Sequence, residues 1–320
     1  MPDMPLVSAV IPTYNSAHLA PEAVQSVLDQ TYANVDIVVV DDGSSDNTVD
    51  CLKAFGSAIT LIRQDHQGPA VARNRGIRES TGEMVAFLDS DDVWLPEKLD
   101  RCVEALRARP QAGVVYTALR MRELDTGRRY KLSQYTHEGW MARDLFLECK
   151  GVNTSTLVVR RSCLDAVNGF DEDFFRAQDW DLMLRLAEQF QYAHVPEVLT
   201  ERRLHAGALS VRHRDLYAKY NLMVTQKAVA RKPGLYAGLE NDALARAHVR
   251  FGLDHYRDFN MAEARVEFQR SLSYRWNGTA FNYLLRTYLP AGLVRALRRV
   301  RQGRRPSVAP VSYEGDPPNA

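Results

Sequence analysis

From residue 6 to about residue 118, short apolar runs alternate with amphipathic stretches. This rhythm of strand, helix, strand, helix predicts a mostly parallel sheet flanked by helices, an α/β fold. Leu6–Ile11, Asp36–Val40, Ile59–Ile62, Met84–Leu88 and Gly113–Tyr116 are short, rich in β-branched residues and not strictly alternating, as expected of strands buried on both faces. Between them, helical periodicity predicts helices over His18–Gln30, Asp46–Phe55, Pro69–Glu79 and Pro96–Arg109. The last opens on a proline, whose missing N–H costs nothing in a first turn. From about 119 to 215 the alternation breaks, leaving a strand-like Thr156–Val159 and a helix over Gln178–Phe190. Beyond residue 215 the pattern is helical, with breaks expected at Lys232–Gly234 and at Asn277 and Gly278. Residues 243–275 pattern as one helical hairpin with no second copy, which argues against a repeat array. The expected organisation is one α/β domain over 1–215, a helical extension over 216–305 and a Pro-rich, disordered tail over 306–320.

Composition narrows the class only a little. The chain has 320 residues, 45% hydrophobic and 25% charged, enough for one large core and a modest second module. Its 41 Lys and Arg against 40 Asp and Glu leave no global field that would favour nucleic acid. Cys51, Cys102, Cys149 and Cys163 show neither zinc-ligand spacing nor a paired framework, so reduced thiols are expected. No basic region followed by an apolar run opens the chain, and no apolar stretch approaches the ~18–20 residues of a membrane span. The expectation is a cytoplasmic protein.

Candidate chemistry gathers at strand ends, because in an open parallel sheet ligands sit outside the carboxyl ends of the strands. The first strand runs into Pro12, Thr13, Tyr14 and Asn15, the second into Asp41, Asp42, Gly43, Ser44 and Ser45, and the fourth into Asp89, Ser90, Asp91 and Asp92. Five carboxylates are thus expected on one rim, where a hard divalent cation is the ordinary remedy for their repulsion. Taken alone, Asp41–Ser45 reads equally as a turn before an Asp46 helix cap, and Asp89–Asp92 as a solvated loop with capping acids. A dinucleotide-binding loop needs a glycine triplet after the first strand, and Pro12–Ala17 has no glycine.

In order and spacing these segments resemble the family 2 glycosyltransferases of the GT-A (nucleotide-diphospho-sugar transferase) fold over about residues 6–210. The resemblance is carried by Ile11–Asn15, by Asp41–Ser44, by Ala72–Gly76 leading to Gly82 and Glu83, and by Asp89–Asp92 followed by Trp94 and Pro96. Gly169–Asp171, leading to Asp179–Asp181, completes it. It implies a nucleotide-sugar donor, a UDP-sugar by preference, whose base and ribose lie against Pro12, Tyr14 and Asp42. It implies that Asp89 contacts the ribose or the metal shell, that Asp91 binds Mn²⁺ or Mg²⁺, and that Arg73 helps neutralise the leaving diphosphate. A structural salt bridge is an equal reading of Arg73. The resemblance makes Asp179 the catalytic base of an inverting displacement onto an acceptor hydroxyl. The family often has glutamate just before that base, where this chain has Gln178. His205, followed by Ser210, resembles the family's late histidine loop and is a further candidate metal ligand, with Arg202 and Arg203 as alternative phosphate contacts.

The implied role is sugar transfer to a saccharide or lipid-linked saccharide in cell-surface polysaccharide or glycolipid assembly. The rival is a non-catalytic nucleotide-sugar-binding or scaffolding protein, for which Gln178 is the one hint. Nucleotidyl transfer to a sugar phosphate needs a glycine-rich basic loop after the first strand, which is absent. Between 289 and 300, Leu289, Leu293, Ala296, Leu297 and Val300 share one helical face, and Arg295, Arg298, Arg299 and Arg301 the opposite arc. Such an arm, over 289–305, either docks on the protein's own core or lies on an anionic membrane surface, peripheral on the inner face of the cytoplasmic membrane.

Overall fold

A computed structural model describes residues 4–131, 136–147, 152–205, 214–290 and 293. The arm expected over 289–305 lies outside them except for Leu289, Pro290 and Leu293, as do Ser210, Cys149 and the tail from Pro306. The chain divides into two compact units, Met1–Ala208 and Leu209–Ala320.

The first unit is built on one sheet of β1 (Val7–Thr13), β2 (Val35–Asp41), β3 (Thr60–Arg63), β4 (Met84–Phe87), β5 (Asp92–Trp94), β6 (Ala112–Glu123), β7 (Arg129–Lys131), β8 (Leu157–Arg160) and β9 (Gln191–Leu204). The order is β3-β2-β1-β4-β8-β6-β9-β5, with β7 on β6. β3, β2, β1 and β4 are parallel, as are β6 and β9; β8 runs antiparallel between β4 and β6, and β5 antiparallel to β9. Helices α1 (Ala20–Leu28), α2 (Thr48–Lys53), α3 (Pro69–Glu79), α4 (Lys98–Ala108), α5 (Ala142–Leu147), α6 (Arg161–Ala166) and α7 (Gln178–Ala187) connect the strands. One face of the sheet packs Ala9, Ile11, Val39 and Ala86 against Ala23, Val27, Leu99 and Leu106 of α1 and α4. Val38 and Val40 on the other face meet Ala72 of α3. The close approach of α3 to β1 requires Gly76, since a Cβ there would lie 2.3 Å from Val10 Cγ1.

β9 is the element the sequence pattern does not announce. It carries Pro196 and a charged Glu201–Arg203 run, and its register against β6 shifts between Thr117 and Leu119. That irregularity, where the register steps from Val195 to Val198, is a bulge that re-aims the strand. Its second half pairs with β5 and carries His205 to the acidic loop.

The second unit contains α8 (Arg214–Arg231), α9 (Pro233–Tyr236), α10 (Glu240–Arg257), α11 (Met261–Tyr274) and α12 (Gly278–Arg286). Pro233 opens α9, and Asn277 caps α12 by accepting from Ala280 N at 2.7 Å, so both expected breaks fall where the backbone chemistry puts them. α10 and α11 form the hairpin read over 243–275, around Tyr256, Ala264, Phe268 and Ala280. Among the described residues, no helix is long and apolar enough to cross a membrane.

Candidate active site

Because β1, β2 and β4 are parallel neighbours, their carboxyl ends lie side by side, with Thr13 level with Asp41. Asn15 sits at φ +47°, a left-handed conformation that its short amide side chain tolerates. From there its Oδ1 accepts from Ser45 N at 2.8 Å and Asp46 N at 3.3 Å, while its own N–H donates to Ser44 Oγ at 2.9 Å. The loops after β1 and β2 are thereby joined into one rim. Gly43, at φ +78°, lets the loop after β3 close on it, since a Cβ there would lie 2.9 Å from the His66 backbone nitrogen.

The Asp42 side chain is 4% exposed and accepts from Gln64 Nε2 at 2.8 Å, Gln67 N at 2.9 Å and Gly68 N at 2.8 Å, with His66 Nδ1 2.9 Å away. A carboxylate offers about four lone-pair sites, so an imide N–H reaches Asp42 only by displacing Gln64 or His66, the two side-chain donors. Tyr14 stands exposed with its ring stacked on His66, centroids 4.1 Å apart at 20°. Gly43, Arg63, Gln64, Asp65 and His66 line an open hollow beside this stack. Pro12 is buried in β1 opposite Val40 and shapes the floor of the rim from within.

Asp89, Asp91 and Asp92 offer oxygens that all lie within 4.8 Å of one another. They are not equivalent. Asp92 belongs to β5 and is buried, its Oδ2 accepting from Ser155 Oγ at 2.6 Å and its Oδ1 from Arg203 N at 3.1 Å. Burial, with Asp91 and Asp89 adding to it, pushes the Asp92 carboxyl well above its ordinary value. Asp41 is also interior and accepts from Ser44 N at 3.2 Å. Of the five carboxylates expected on the rim, only Asp89 and Asp91 keep substantially open side chains, 26% and 31% exposed. His205 Nε2 lies 3.2 Å from Asp91 Oδ2. Two open carboxylates, a third acid behind them and an imidazole nitrogen form a mostly hard-oxygen donor set that fits Mn²⁺ or Mg²⁺.

Arg73 of α3 is buried and donates through Nη2 to Asp89 Oδ1 at 2.5 Å, with its guanidinium carbon 5.3 Å from the centre of the Phe170 ring. Its Nε and Nη1 have no protein acceptor. A guanidinium that is always charged thus holds two unused donors beside the acidic loop.

Asp179 lies in the first turn of α7, where the helix dipole favours negative charge. The preceding Ala177 is at φ +57°, a strained conformation for alanine of the kind that clusters at working sites. Trp180 anchors the helix by donating from Nε1 to Leu145 O at 2.7 Å. Asp179 is half-buried. Burial raises its carboxyl above the ordinary value; Asp89 adds to the rise, while the Trp180 N–H bond and the Arg73 and Arg202 guanidiniums oppose it. Asp179, Arg73, Asp89 and Arg202 therefore act within one electrostatic field. The neighbouring Gln178 is buried with its Oε1 unpartnered.

Residues 8–163 match the family model "Glycosyl transferase family 2". Residues 8–163 are a glycosyl transferase family 2 domain. An uncharacterized glycosyltransferase of Rickettsia prowazekii is 31% identical over 207 residues, 63% of this chain and 65% of that protein. A UDP-Glc:alpha-D-GlcNAc-diphosphoundecaprenol beta-1,3-glucosyltransferase of Escherichia coli is 44% identical over 97 residues, 30% of this chain and 38% of that protein. The chain spans less than two thirds of either relative's length. Among solved structures, S. aureus TarS 1-349 in complex with UDP-GlcNAc superimposes with a TM-score of 0.66 at 16% identity, covering 93% of this chain and 92% of that one. The mannosyltransferase PcManGT from Pyrobaculum calidifontis, in complex with GDP-Man and Mn²⁺, gives 0.61 at 20% identity, covering 94% and 83%. These likenesses establish the GT-A fold.

Several residues that shape the site escape a sequence reading. Ser155 is the hub behind the acidic loop: its hydroxyl donates to Asp92 and accepts from Asp89 N at 3.2 Å, and its carbonyl accepts from Trp94 Nε1 at 2.8 Å. Arg203 is buried, with Nε on Asp91 O at 2.6 Å, Nη1 on Glu22 and Nη2 on Leu19 O at 3.0 Å. The phosphate contact that was open to Arg203 is thus physically closed, because its donors hold the loop from beneath. Asp181, buried and paired with Arg185 at 2.7 Å, is structural in the same sense, since Arg185 also donates to Val167 O and Gly169 O. Asn74, quoted in the motif without a role, accepts from Phe170 N and donates to Phe170 O, both at 2.8 Å, tying α3 to the segment that leads to α7. Asn74→Ala leaves that buried N–H and carbonyl unpaired at about 1–3 kcal/mol each, a loss that denaturant unfolding of the variant will read directly.

The raised Asp179 carboxyl has a pH signature. For the role of base that the family resemblance gives Asp179, only the ionised form works, so kcat/KM is expected to rise with pH through an acid limb lying above the ordinary Asp value of about 3.9. The limb should vanish in Asp179→Asn; a pH profile with its acid limb at or below that value would contradict the assignment. For stability the sign is opposite. The folded state binds this proton more tightly than the unfolded chain, so the ionised carboxylate costs stability progressively as pH rises from the unfolded value to the folded one.

Proposed function

We propose that this protein is an inverting, metal-dependent glycosyltransferase that moves a sugar from a nucleoside-diphosphate sugar, a UDP-sugar by preference, to an acceptor hydroxyl. The observation that carries the reading is the cluster of Asp89, Asp91 and Asp92 oxygens within 4.8 Å of one another, with the buried Arg73 on Asp89 and His205 on Asp91. Tyr14, with Pro12 and Asp42 behind it, would position base and ribose. Arg73 would turn its unused Nε and Nη1 toward the phosphate oxygens on which charge grows as the anomeric bond breaks. Asp179 would accept the acceptor hydroxyl's proton as that oxygen attacks the anomeric carbon from the face opposite the diphosphate, so one displacement inverts the centre. A divalent cation held by Asp91, Asp89 and His205 would supply Lewis-acid neutralisation of the leaving diphosphate.

The preference for UDP draws support from the E. coli relative and from the ligand of TarS, and the cation from the Mn²⁺ of the Pyrobaculum enzyme. The acceptor is proposed to be a saccharide or lipid-linked saccharide of a cell-surface polysaccharide or glycolipid, and the place of action the cytoplasmic face of the membrane. Incubation of the protein with nucleotide-sugar donors, Mn²⁺ and saccharide acceptors should release free nucleoside diphosphate in step with glycoside of inverted configuration. Tight donor binding without turnover under any acceptor would instead leave a binding or scaffolding protein.

A further inference from the structure

The second unit shows an apolar surface that its own fold does not use. α12 has apolar residues on both sides. Ala280, Tyr283 and Leu284 pack inward against Tyr256 and Phe268 of α10 and α11. Phe281 and Leu285, four residues apart on α12 and so on one face, are 47% and 54% exposed, and Tyr288, two residues past the end of the helix, is 61% exposed. Trp276, just before the helix, is 73% exposed, and Leu293, just after it, 47%. Of the eleven large hydrophobic side chains exposed among the described residues, seven fall between Val266 and Leu293. Scattered exposed apolar residues are ordinary, but a concentration of this kind marks a contact surface.

Charge identifies what the surface meets. From Phe268 to Tyr313 the sequence holds nine arginines (Arg270, Arg275, Arg286, Arg295, Arg298, Arg299, Arg301, Arg304 and Arg305) and no acid. Among the described residues, Arg270 pairs with Glu267 and Arg275 with Asp242. A second copy of the chain would bring a second such arginine-rich run, whereas an anionic partner offsets the charge. The aromatics are of the amphipathic kind. Tyr288 carries Arg265 with its guanidinium carbon 4.4 Å from the ring centre, and Tyr283 carries Arg286 at 5.1 Å. Tryptophan, tyrosine and arginine around a leucine and phenylalanine stripe match the boundary between lipid headgroups and acyl chains.

We propose that Phe281 and Leu285 on the outward face of α12, with Trp276 and Tyr288 flanking the helix, dock this protein on an anionic lipid bilayer. The inference deepens the membrane placement proposed above and identifies the surface that achieves it. Phe281 and Leu285 enter the acyl boundary and Trp276 and Tyr288 lie at headgroup depth, while the arginine-rich sequence supplies the attraction to anionic lipid.

The test is cosedimentation of the full chain with vesicles of phosphatidylcholine alone and with phosphatidylglycerol added. Binding is expected at least tenfold tighter to the anionic vesicles, weakening as salt is raised. The double variant Phe281→Ser with Leu285→Ser is expected to lose at least tenfold of that binding while keeping the parent's melting temperature and its transfer to a soluble acceptor. Independently of folding, brominated phosphatidylglycerol should quench parent fluorescence, and Trp276→Phe should remove that quenching. Three results would overturn the proposal: no preference for anionic vesicles, unchanged binding by the double variant, or a parent dimer that the double variant converts to monomer, which would make a second copy the occupant. Soluble-acceptor transfer is read separately, so loss of the docking proposal leaves the transferase reading standing, and the converse also holds.

Discussion

Asp179→Asn is expected to lower transfer by about 10²–10⁴-fold, the range that a positioned general base contributes, while donor affinity stays within a few-fold of the parent. The reasoning is local. The amide keeps the volume of the carboxylate, and its Oδ1 keeps the bond from Trp180 N that Asp179 makes at 2.8 Å. What disappears is the site that takes the acceptor proton. The same substitution removes a charge that burial makes costly, so the variant should melt a few degrees higher than the parent at neutral pH. A residue that holds the protein below its attainable stability while serving turnover shows the trade-off expected of working groups. Single-turnover kinetics with calorimetric donor binding and a thermal melt give the three readouts together. Full activity in the variant would remove Asp179 as the base, and equal loss of binding and turnover would make it a donor-binding residue.

Asp91→Ala is expected to abolish the Mn²⁺-dependent part of donor binding. The loss should be roughly hundredfold or more, since even the outer partners of metal ligands are worth about 10–100-fold. The thermal stabilisation that donor and Mn²⁺ together confer on the parent should disappear with it. Melting without ligand should change little, because the Asp91 side chain is 31% exposed and meets His205 at its rim. Asp89→Ala is the instructive contrast. It would strand the buried Arg73 guanidinium without its carboxylate, a cost of several kcal/mol for an uncompensated buried charge, and should therefore destabilise the free protein as well. Donor titrations with and without Mn²⁺, on both variants, separate the roles. Undiminished metal dependence in Asp91→Ala would move the cation elsewhere.

The elements most legible in the sequence were those whose periodicity comes from one uninterrupted burial pattern. Pro69–Glu79 is helical to the residue, because a proline opens it and a small-residue face packs on β1 and β2. The strands whose ends build the rim were located within a residue or two. The apolar run predicts four residues of β6, which is twelve, since its last third, Arg120–Glu123, carries charged side chains that pair with Glu201 and with β7. β9 was missed as a strand because its bulge at Pro196 and Glu197 breaks the alternation that a sequence reader counts.

The candidate residues divide along the same line. Which chemical groups line the carboxyl edge of the sheet was decided by sequence alone, because parallel strands deliver the residues that follow them to one side. Their rank was decided only by tertiary structure. Asp41, Asp92 and Arg203 are as polar on paper as Asp89, Asp91 and Arg202, yet chain segments some sixty to one hundred and eighty residues away, at Ser155, Leu19 and Glu22, draw Asp92 and Arg203 inside. Hydrogen bonding to distant partners, not residue type, separates an acid that builds the loop from one left open to meet a ligand.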